Sequence, residues 1–265
     1  MELAMVCEKA CLAAKQAGKF IQTQVNQIQL SDIEEKSLNQ LVSFVDKTSE
    51  QMLVSALKEI IPDAAFITEE ETVPRTHAAY TWIIDPLDGT TNFLHALPVY
   101  SVSIALMKDE KPVIGIVYEP NRDELFYAYS GAGAYLNGKR IHVKTNTALS
   151  KSLLATGFPY YDFKRIPQYL STLSDLMKGT QGMRRMGSAA VDLAYTACGR
   201  FDGFFEYGLS PWDVAGGIVL IEEAGGKISD FKGGDDYLFG KTIIGASSAL
   251  YDDLLAVIQK NFDQG

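Results

Sequence analysis

The chain has 265 residues with a formal net charge of −9, and 47% of its residues are hydrophobic. This composition is typical of a globular protein and excludes a disordered one, and the acidic balance argues against direct binding of nucleic acid. The three cysteines fit neither a disulfide framework nor a zinc site, and no stretch resembles a signal peptide or a membrane span. We therefore expect a cytoplasmic protein with no membrane contact.

Two helices are predicted in the first 61 residues. Apolar residues recur every three or four positions over the first 20 residues, which gives the first helix one buried face. Residues 27–40 break this period and predict a loop or hairpin. Thr48 and Gln51 resemble a capping box, so we expect the second helix to begin near Thr48, with Asp46 just ahead of it.

A run of β-prone segments follows and predicts a large antiparallel or mixed sheet. Short polar or glycine-containing turns separate the segments, and Asn137-Gly138 is a strong hairpin signal. The predicted strands cover residues 65–67, 82–84, 99–106, 113–118, 125–129 and 134–136. Such a run argues against a strict alternation of strands and helices.

Strands and helices alternate in the second half of the chain. Strands are predicted at 153–157, 201–206, 228 and 243–245, and helices at 163–177, 188–198, 211–224 and 254–262. Ser188 is a candidate N-cap, and the free amides at that helix start would suit an anion. We expect one domain over residues 1–265, with an N-terminal α+β half of about 1–147 and a C-terminal α/β half of about 148–265.

Two aspartates three positions apart follow an apolar run in Trp82-Ile83-Ile84-Asp85-Pro86-Leu87-Asp88-Gly89-Thr90-Thr91-Asn92. Proline and glycine predict that the strand ends there in a tight turn. Carboxylates this close repel each other unless a cation or a shared proton intervenes, and Mg²⁺ favours such oxygen ligands. A solvated turn is the alternative, since Asp-Pro and Asp-Gly are common turn sequences.

Four carboxylates stand at predicted strand ends or helix starts: Glu69, Asp85, Asp88 and Asp213. If they converge unpaired, they raise one another's pKa, and two or three Mg²⁺ ions would balance them while leaving room for a phosphate. Paired metal ions hydrolyse phosphate esters with water as the nucleophile. Asp46 has a simpler alternative explanation, because an acidic residue near a helix start also favours the helix dipole.

Two long segments resemble the signatures of the inositol monophosphatase family. One is the segment from Trp82 to Phe93, and the other is Pro211-Trp212-Asp213-Val214-Ala215-Gly216-Gly217 with Glu223-Ala224-Gly225-Gly226. The stretches 184–195 and 199–206 resemble the bacterial branch of that family. The resemblance extends over nearly the whole chain.

This resemblance implies a five-layer αβαβα sandwich and a Mg²⁺-dependent, lithium-sensitive phosphatase that is commonly a homodimer. By position, it implies a metal site made of Glu69, Asp85, the Leu87 carbonyl, Asp88 and Asp213. It implies that Asp46 and Thr90 activate the attacking water, with Glu69 as a third catalytic residue, and that substrate contacts Gly89, Thr90, Ala189, Glu206 and Asp213. Thr68 departs from the family's usual glycine, and the run of three glutamates makes the ligand ambiguous; we take Glu69 because it is first after the strand.

Inositol monophosphate is the leading substrate, with NADP, fructose 1,6-bisphosphate and phosphoadenosine compounds as alternatives within the family. A haloacid-dehalogenase phosphatase would need its two aspartates two positions apart, and an EF-hand needs ligands at alternating positions, so the spacing argues against both. A regulatory binding protein of the same fold is a further alternative. Arg184 and Arg185 could then contact the transcription machinery, although a surface or dimer-interface pair is the simpler explanation.

Overall fold

The computed structural model describes residues 2–28, 33–37, 40–145, 148–160 and 162–262. Within these ranges the helices are α1 (Leu3–Gln24), α2 (Phe44–Ile60), α3 (Thr90–Leu94), α4 (Ile166–Gly179), α5 (Ala189–Ala197), α6 (Pro211–Glu223) and α7 (Tyr251–Phe262). The first strands are β1 (Ile33–Ser37), β2 (Gln40–Ser43), β3 (Ala65–Thr68), β4 (Tyr80–Asp88), β5 (Ser101–Lys108), β6 (Lys111–Glu119) and β7 (Glu124–Tyr129). The others are β8 (Gly133–Leu136), β9 (Lys139–Ile141), β10 (Leu153–Thr156), β11 (Gly182–Arg184), β12 (Gly203–Tyr207), β13 (Gly226–Ser229) and β14 (Thr242–Ser247).

The described strands form a small hairpin and two larger sheets. Strands β1 and β2 pair as an antiparallel hairpin, as predicted for this polar segment. The seven-stranded sheet has the order β3-β4-β5-β6-β7-β8-β9, in which only the β3–β4 pair is parallel. The five-stranded sheet has the order β11-β10-β12-β14-β13 and mixes parallel with antiparallel pairs.

Helices separate and cover the two larger sheets. Helices α1 and α2 pack on one face of the seven-stranded sheet, while α5 and α6 pack on its other face and also contact the five-stranded sheet. Helices α4 and α7 contact each other and strands of the five-stranded sheet. All nine residues of α5 are buried, because this helix lies between two sheets. The layers therefore follow the order αβαβα, which confirms the predicted sandwich. None of the described helices combines the length and apolar character needed to cross a lipid bilayer.

The N-cap of helix α2 lies five residues before Thr48, the N-cap that the sequence predicts. This N-cap is Ser43, whose backbone N and Oγ each donate a hydrogen bond of 2.8 Å to Asp46 Oδ2. Asp46 is therefore the third residue of the first turn and not a residue ahead of the helix. The correct capping box pairs Ser43 with Asp46, since a serine three positions before an acidic residue satisfies the free amides of the first turn.

Strand β4 also differs from its prediction, because it continues through Pro86 to Asp88. Its register with β5 shifts between Asp85 and Asp88, which is a bulge at the position where proline has no N–H to donate. The chain reverses only at Gly89, whose φ of 95° favours glycine. Both aspartates are thus held by sheet pairing rather than by a solvated loop.

Candidate active site

A cavity of about 410 Å³ opens where the ends of β4 and β12 meet the starts of α5 and α6. Seven of the ten predicted site residues line it: Glu69, Asp88, Gly89, Thr90, Ala189, Glu206 and Asp213. Asp46, Asp85 and Leu87 do not line the cavity and are at most 2% exposed. They are connected to its wall by the contacts described below, so the structure brings all ten residues into one region.

The four carboxylates predicted to bind metal lie close enough to influence one another's ionisation. Burial raises the pKa of Asp85 well above its usual range, and the charges of Glu69, Asp88 and Asp213 raise it further. The backbone amide of Glu69 donates to the carbonyl of Ile84 at 3.3 Å, which places Glu69 beside the end of β4. The site therefore concentrates negative charge that nearby cations would stabilise.

Protein donors orient three of these carboxylates by holding one oxygen of each. Asp85 Oδ1 accepts a hydrogen bond of 3.0 Å from the Leu87 amide, and Asp213 Oδ2 accepts one of 2.7 Å from the Ser210 amide. Burial raises the pKa of Asp213 well above its usual range, and the charge of Asp88 adds to this effect. Such bonds fix each carboxylate group in direction before any ligand arrives.

Asp88 is held by the start of α5. Its Oδ2 accepts hydrogen bonds from Ser188 Oγ at 2.6 Å and from the Ala190 amide at 2.7 Å. Burial raises the pKa of Asp88 to about 6, and these hydrogen bonds oppose the rise. Ser188 is the N-cap of α5, as predicted, and it links that helix start to the acidic cluster.

The chemistry of these donors fits a hard divalent cation. In the part of the chain that the structure describes, no three acidic, histidine or cysteine side chains already stand together as a closed metal site. The carboxylates nevertheless raise one another's pKa, and oxygen atoms are the ligands that Mg²⁺ prefers. Bound cations would draw such groups together and offset their charge.

Thr90 connects the cavity to the buried Asp46. Its hydroxyl lies 3.0 Å from Asp46 Oδ1 and 3.0 Å from the Leu87 carbonyl oxygen, and one hydroxyl proton must serve both acceptors. Burial raises the pKa of Asp46, whereas hydrogen bonds from Ser43 and Thr90 lower it. Asp46 therefore contacts the cavity wall as well as its own helix start, because its second oxygen accepts a hydrogen bond from Thr90.

A second buried carboxylate supports the segment that carries Glu69. Glu50 in α2 is fully buried and accepts hydrogen bonds from the amides of Glu70 and Thr72, at 2.7 and 2.8 Å, and from Thr72 Oγ1 at 2.7 Å. These bonds tie the segment after β3 to the body of α2. Sequence analysis missed Glu50, because a helix position does not reveal a partner twenty residues away.

The cavity lining also includes Glu206 and two charged residues that the sequence did not identify as site residues. Arg185 was assigned to a surface or interface pair, but it lines the cavity, whereas Arg184 is exposed. Asp192 also lines the cavity and is 1% exposed. Burial raises the pKa of Glu206 to about 8, the charge of Asp88 adds to the rise, and Arg185 opposes it.

Comparisons with known proteins identify relatives of this chain in sequence and in structure. The model of the inositol monophosphatase family matches residues 2–262. Over 255 residues the chain is 40% identical to the Nus factor SuhB of Pseudomonas aeruginosa, covering 94% of each protein. It is 38% identical to the inositol-1-monophosphatase of Mesorhizobium japonicum over 249 residues, again 94% of each. The crystal structure of extragenic suppressor protein suhB from Bartonella henselae matches with a TM-score of 0.89 and 37% identity, covering 94% of this chain and 96% of that one.

Proposed function

The chain belongs to the inositol monophosphatase family, and we propose that it hydrolyses small phosphate monoesters with water as the nucleophile, inositol monophosphate first among them. The observation that carries this proposal is the cluster of oriented carboxylates, with mutually raised pKa values, at the wall of a 410 Å³ cavity. A cavity of this size fits a phosphorylated ring of a single sugar or cyclitol.

Two or three Mg²⁺ ions would be held by Glu69, Asp85, the Leu87 carbonyl, Asp88 and Asp213. When bound, they would supply a water of lowered pKa and positive charge near the departing oxygen. The oriented oxygens of Asp85 and Asp88 support this assignment, because a preformed ligand direction reduces the cost of binding.

The pair of Thr90 and Asp46, with Glu69 beside the cavity, would direct the attacking water. Thr90 Oγ1 can accept a hydrogen bond from the water while its own O–H donates one to Asp46 Oδ1. Buried Asp46 holds that hydroxyl in one orientation, so that its lone pair faces the water. The proton of the water would thus leave along the line from Thr90 to Asp46.

The substrate would bind between the two walls of the cavity. The phosphate would lie against Gly89 and Thr90, where α3 starts, and the alcohol against Ala189, Glu206 and Asp213. The support for this division is that Gly89 and Thr90 stand at the start of α3, whereas Ala189 and Glu206 come from α5 and β12. NADP, fructose 1,6-bisphosphate and phosphoadenosine compounds are the alternatives, since they need the same phosphate site and a different leaving-group wall.

The test is phosphate release from inositol 1-phosphate, fructose 1,6-bisphosphate, NADP and phosphoadenosine phosphate while Mg²⁺ is titrated. We expect Mg²⁺-dependent release, fastest from inositol 1-phosphate, and its loss in Asp88→Asn. Asp253→Asn is the matched control, because Asp253 is exposed in the first turn of α7. Release from none of the four esters at any Mg²⁺ concentration would reject the proposal.

A role in transcription is the second candidate function, because relatives that share 40% identity with this chain are named Nus factors. Such a role would operate through binding and would not need the acidic cluster. Retention of a transcription partner by Asp88→Asn, together with loss of hydrolysis, would separate the two functions. Exposed Arg184 is the first surface position to substitute in that binding assay.

We also propose a homodimer in the cytoplasm whose activity lithium inhibits. The outer side of α4 supports a dimer, because Leu170 and Met177, seven positions apart, are 55% and 59% exposed. The free thiols of Cys7, Cys11 and Cys198 agree with a reducing compartment. Sedimentation of the native protein and of Leu170→Glu would test the dimer, and a monomeric native protein would reject it.

A further inference from the structure

Arg185, Asp192 and Glu206 form the part of the cavity lining that we call the leaving-group wall. It contains two buried polar atoms that lack a protein partner. Among the described residues, Oδ1 of Asp192 and Nε of Arg185 have no hydrogen-bond partner. Both residues line the cavity. A buried acceptor or donor without a partner costs free energy, so unpaired groups at the wall of a cavity indicate that a ligand supplies the missing partner.

Asp192 is fixed on the wall by the burial of its helix. It lies in α5, one turn after Ser188, and only 1% of its surface is exposed. Its backbone carbonyl accepts a hydrogen bond of 2.8 Å from Thr196 Oγ1, so the helix backbone is fully engaged there. The carboxyl group therefore offers a rigid acceptor to the cavity.

Arg185 is held against the same wall by two aromatic rings. Its guanidinium carbon lies 5.5 Å from the ring centre of Phe158 and 5.2 Å from that of Tyr160. This stacking restrains the guanidinium plane and leaves its edge available for hydrogen bonds. Arg185 and Asp192 thus present a donor and an acceptor to the same cavity, and such groups can recognise hydroxyls of one ligand.

The burial of this wall favours a neutral leaving group over an anionic one, because a second phosphate would lose its hydration there. Glu206 and Asp192 are both buried acids, and burial raises the pKa of each carboxyl group. The charge of Asp88 raises both pKa values further. A second phosphate, as in a bisphosphate or a nucleotide, would meet two acids and a single guanidinium. A polyhydroxylated ring can donate to the acids and accept from Arg185 without repulsion.

We infer that Asp192 is a specificity-determining residue that accepts a hydrogen bond from a hydroxyl group of a neutral polyol leaving group, with Arg185 as the donor beside it. The inference rests on the proposed function, because it concerns the alcohol half of the same substrate. In this inference the leaving-group wall determines the preference for a polyol ester over an ester whose leaving group has no hydroxyls.

The experiment compares two esters in the Mg²⁺-loaded enzyme. Inositol 1-phosphate carries hydroxyls on its leaving group, and phenyl phosphate carries none. In Asp192→Ala we expect the ratio of kcat/KM for inositol 1-phosphate to that for phenyl phosphate to fall about tenfold, mainly through KM, because one buried hydrogen bond to the substrate is lost. Asp192→Asn keeps the shape and one acceptor and should recover part of the ratio.

Thr196→Val is the matched control, since Thr196 is buried one turn further along α5 and does not line the cavity. It should leave the ratio of the two esters unchanged. A structural effect of Asp192→Ala would lower both rates together and preserve the ratio. A ratio within twofold of the native value would overturn the inference while the proposed function stands.

Ligand binding separates the inference from the proposed function. The rise in unfolding midpoint caused by inositol 1-phosphate should exceed that caused by inorganic phosphate in the native protein, and this excess should disappear in Asp192→Ala. If no ester is hydrolysed but the Asp192-dependent excess is present, the proposed function fails, and only the hydrogen bond between Asp192 and the bound polyol remains supported. If both hydrolysis and the excess are absent, both are rejected.

Discussion

The Thr90 hydroxyl lies 3.0 Å from Asp46 Oδ1 and joins the start of α3 to the first turn of α2. This bond connects a cavity residue with a carboxylate that is 1% exposed. Because Ser43 holds the other oxygen of Asp46, the carboxylate has a fixed direction. The pair therefore gives a direct test of how water is activated.

Thr90→Val should lower kcat by roughly 100- to 10,000-fold with little change in KM, because the hydroxyl that orients the attacking water is removed. Asp46→Asn should lower kcat by a factor in the same range. Thr90→Ser keeps the hydroxyl and should recover most of the rate. Steady-state kinetics on inositol 1-phosphate at saturating Mg²⁺ provide the measurement, and a Thr90→Val enzyme with near-native kcat would contradict the assignment.

Glu50 should affect metal binding without touching the metal. Glu50→Ala removes three hydrogen bonds that hold the segment after Glu69, so the free energy of unfolding should fall by about 1–3 kcal/mol. The Mg²⁺ concentration for half-maximal activity should rise, since Glu69 loses its support. Denaturant unfolding and a Mg²⁺ titration measure the two effects.

The control for Glu50 is Glu59→Ala, which alters an exposed glutamate on the same helix. It should change neither quantity appreciably. A Glu50→Ala protein that is less stable but keeps its native Mg²⁺ dependence would show that the segment after β3 does not position Glu69.

The buried Glu206 should make the metal-free protein less stable as the pH rises. Its pKa is raised from 4.5 to about 8 in the folded chain, mainly by burial. Between these values the folded chain keeps a proton that the unfolded chain has lost, so the free energy of unfolding decreases with increasing pH across this window. Below pH 4.5 the full contribution is present, and above about pH 8 it is lost.

Glu206→Gln should reduce this pH dependence, because its amide does not titrate. Part of the slope should remain, since burial also raises the pKa values of Asp85 and Asp213. Urea unfolding in a chelator, from pH 5 to pH 8.5, measures the slope for the native protein and for Glu206→Gln. Equal slopes in the two proteins would mean that Glu206 is ionised throughout the folded state at these pH values.

The outer helices could be predicted from the sequence because they bury one face, which leaves a period in the apolar residues. The central strands are buried on both faces and could be predicted because they form short apolar runs bounded by turn residues. The elements that were missed are short, such as β9, β11 and α3, and carry too few residues for a period. The proposed metal ligands could be named because they stand at predicted strand ends or helix starts within the two segments that resemble the family's signatures or close to them. Asp192 could not, because the direction of a side chain on a helix buried on all sides depends on packing against distant strands. Arg185 could not either, because it lies in the connection between β11 and α5, where no period indicates which side chains face a cavity.

Gly157 should control the position of Glu206 across the two neighbouring strands. A Cβ placed on Gly157 would lie 2.0 Å from Glu206 Oε1, so Gly157→Ala must displace that carboxyl group. The group is the end of a flexible side chain, and its movement should change the free energy of unfolding by less than about 1 kcal/mol. The KM for inositol 1-phosphate should rise several-fold, because the alcohol loses a correctly placed partner.

Gly179→Ala is the control, since a Cβ at Gly179 meets no atom within 4 Å. Kinetics and urea unfolding of both variants would test this, and an unchanged KM in Gly157→Ala would separate Glu206 from recognition of the alcohol.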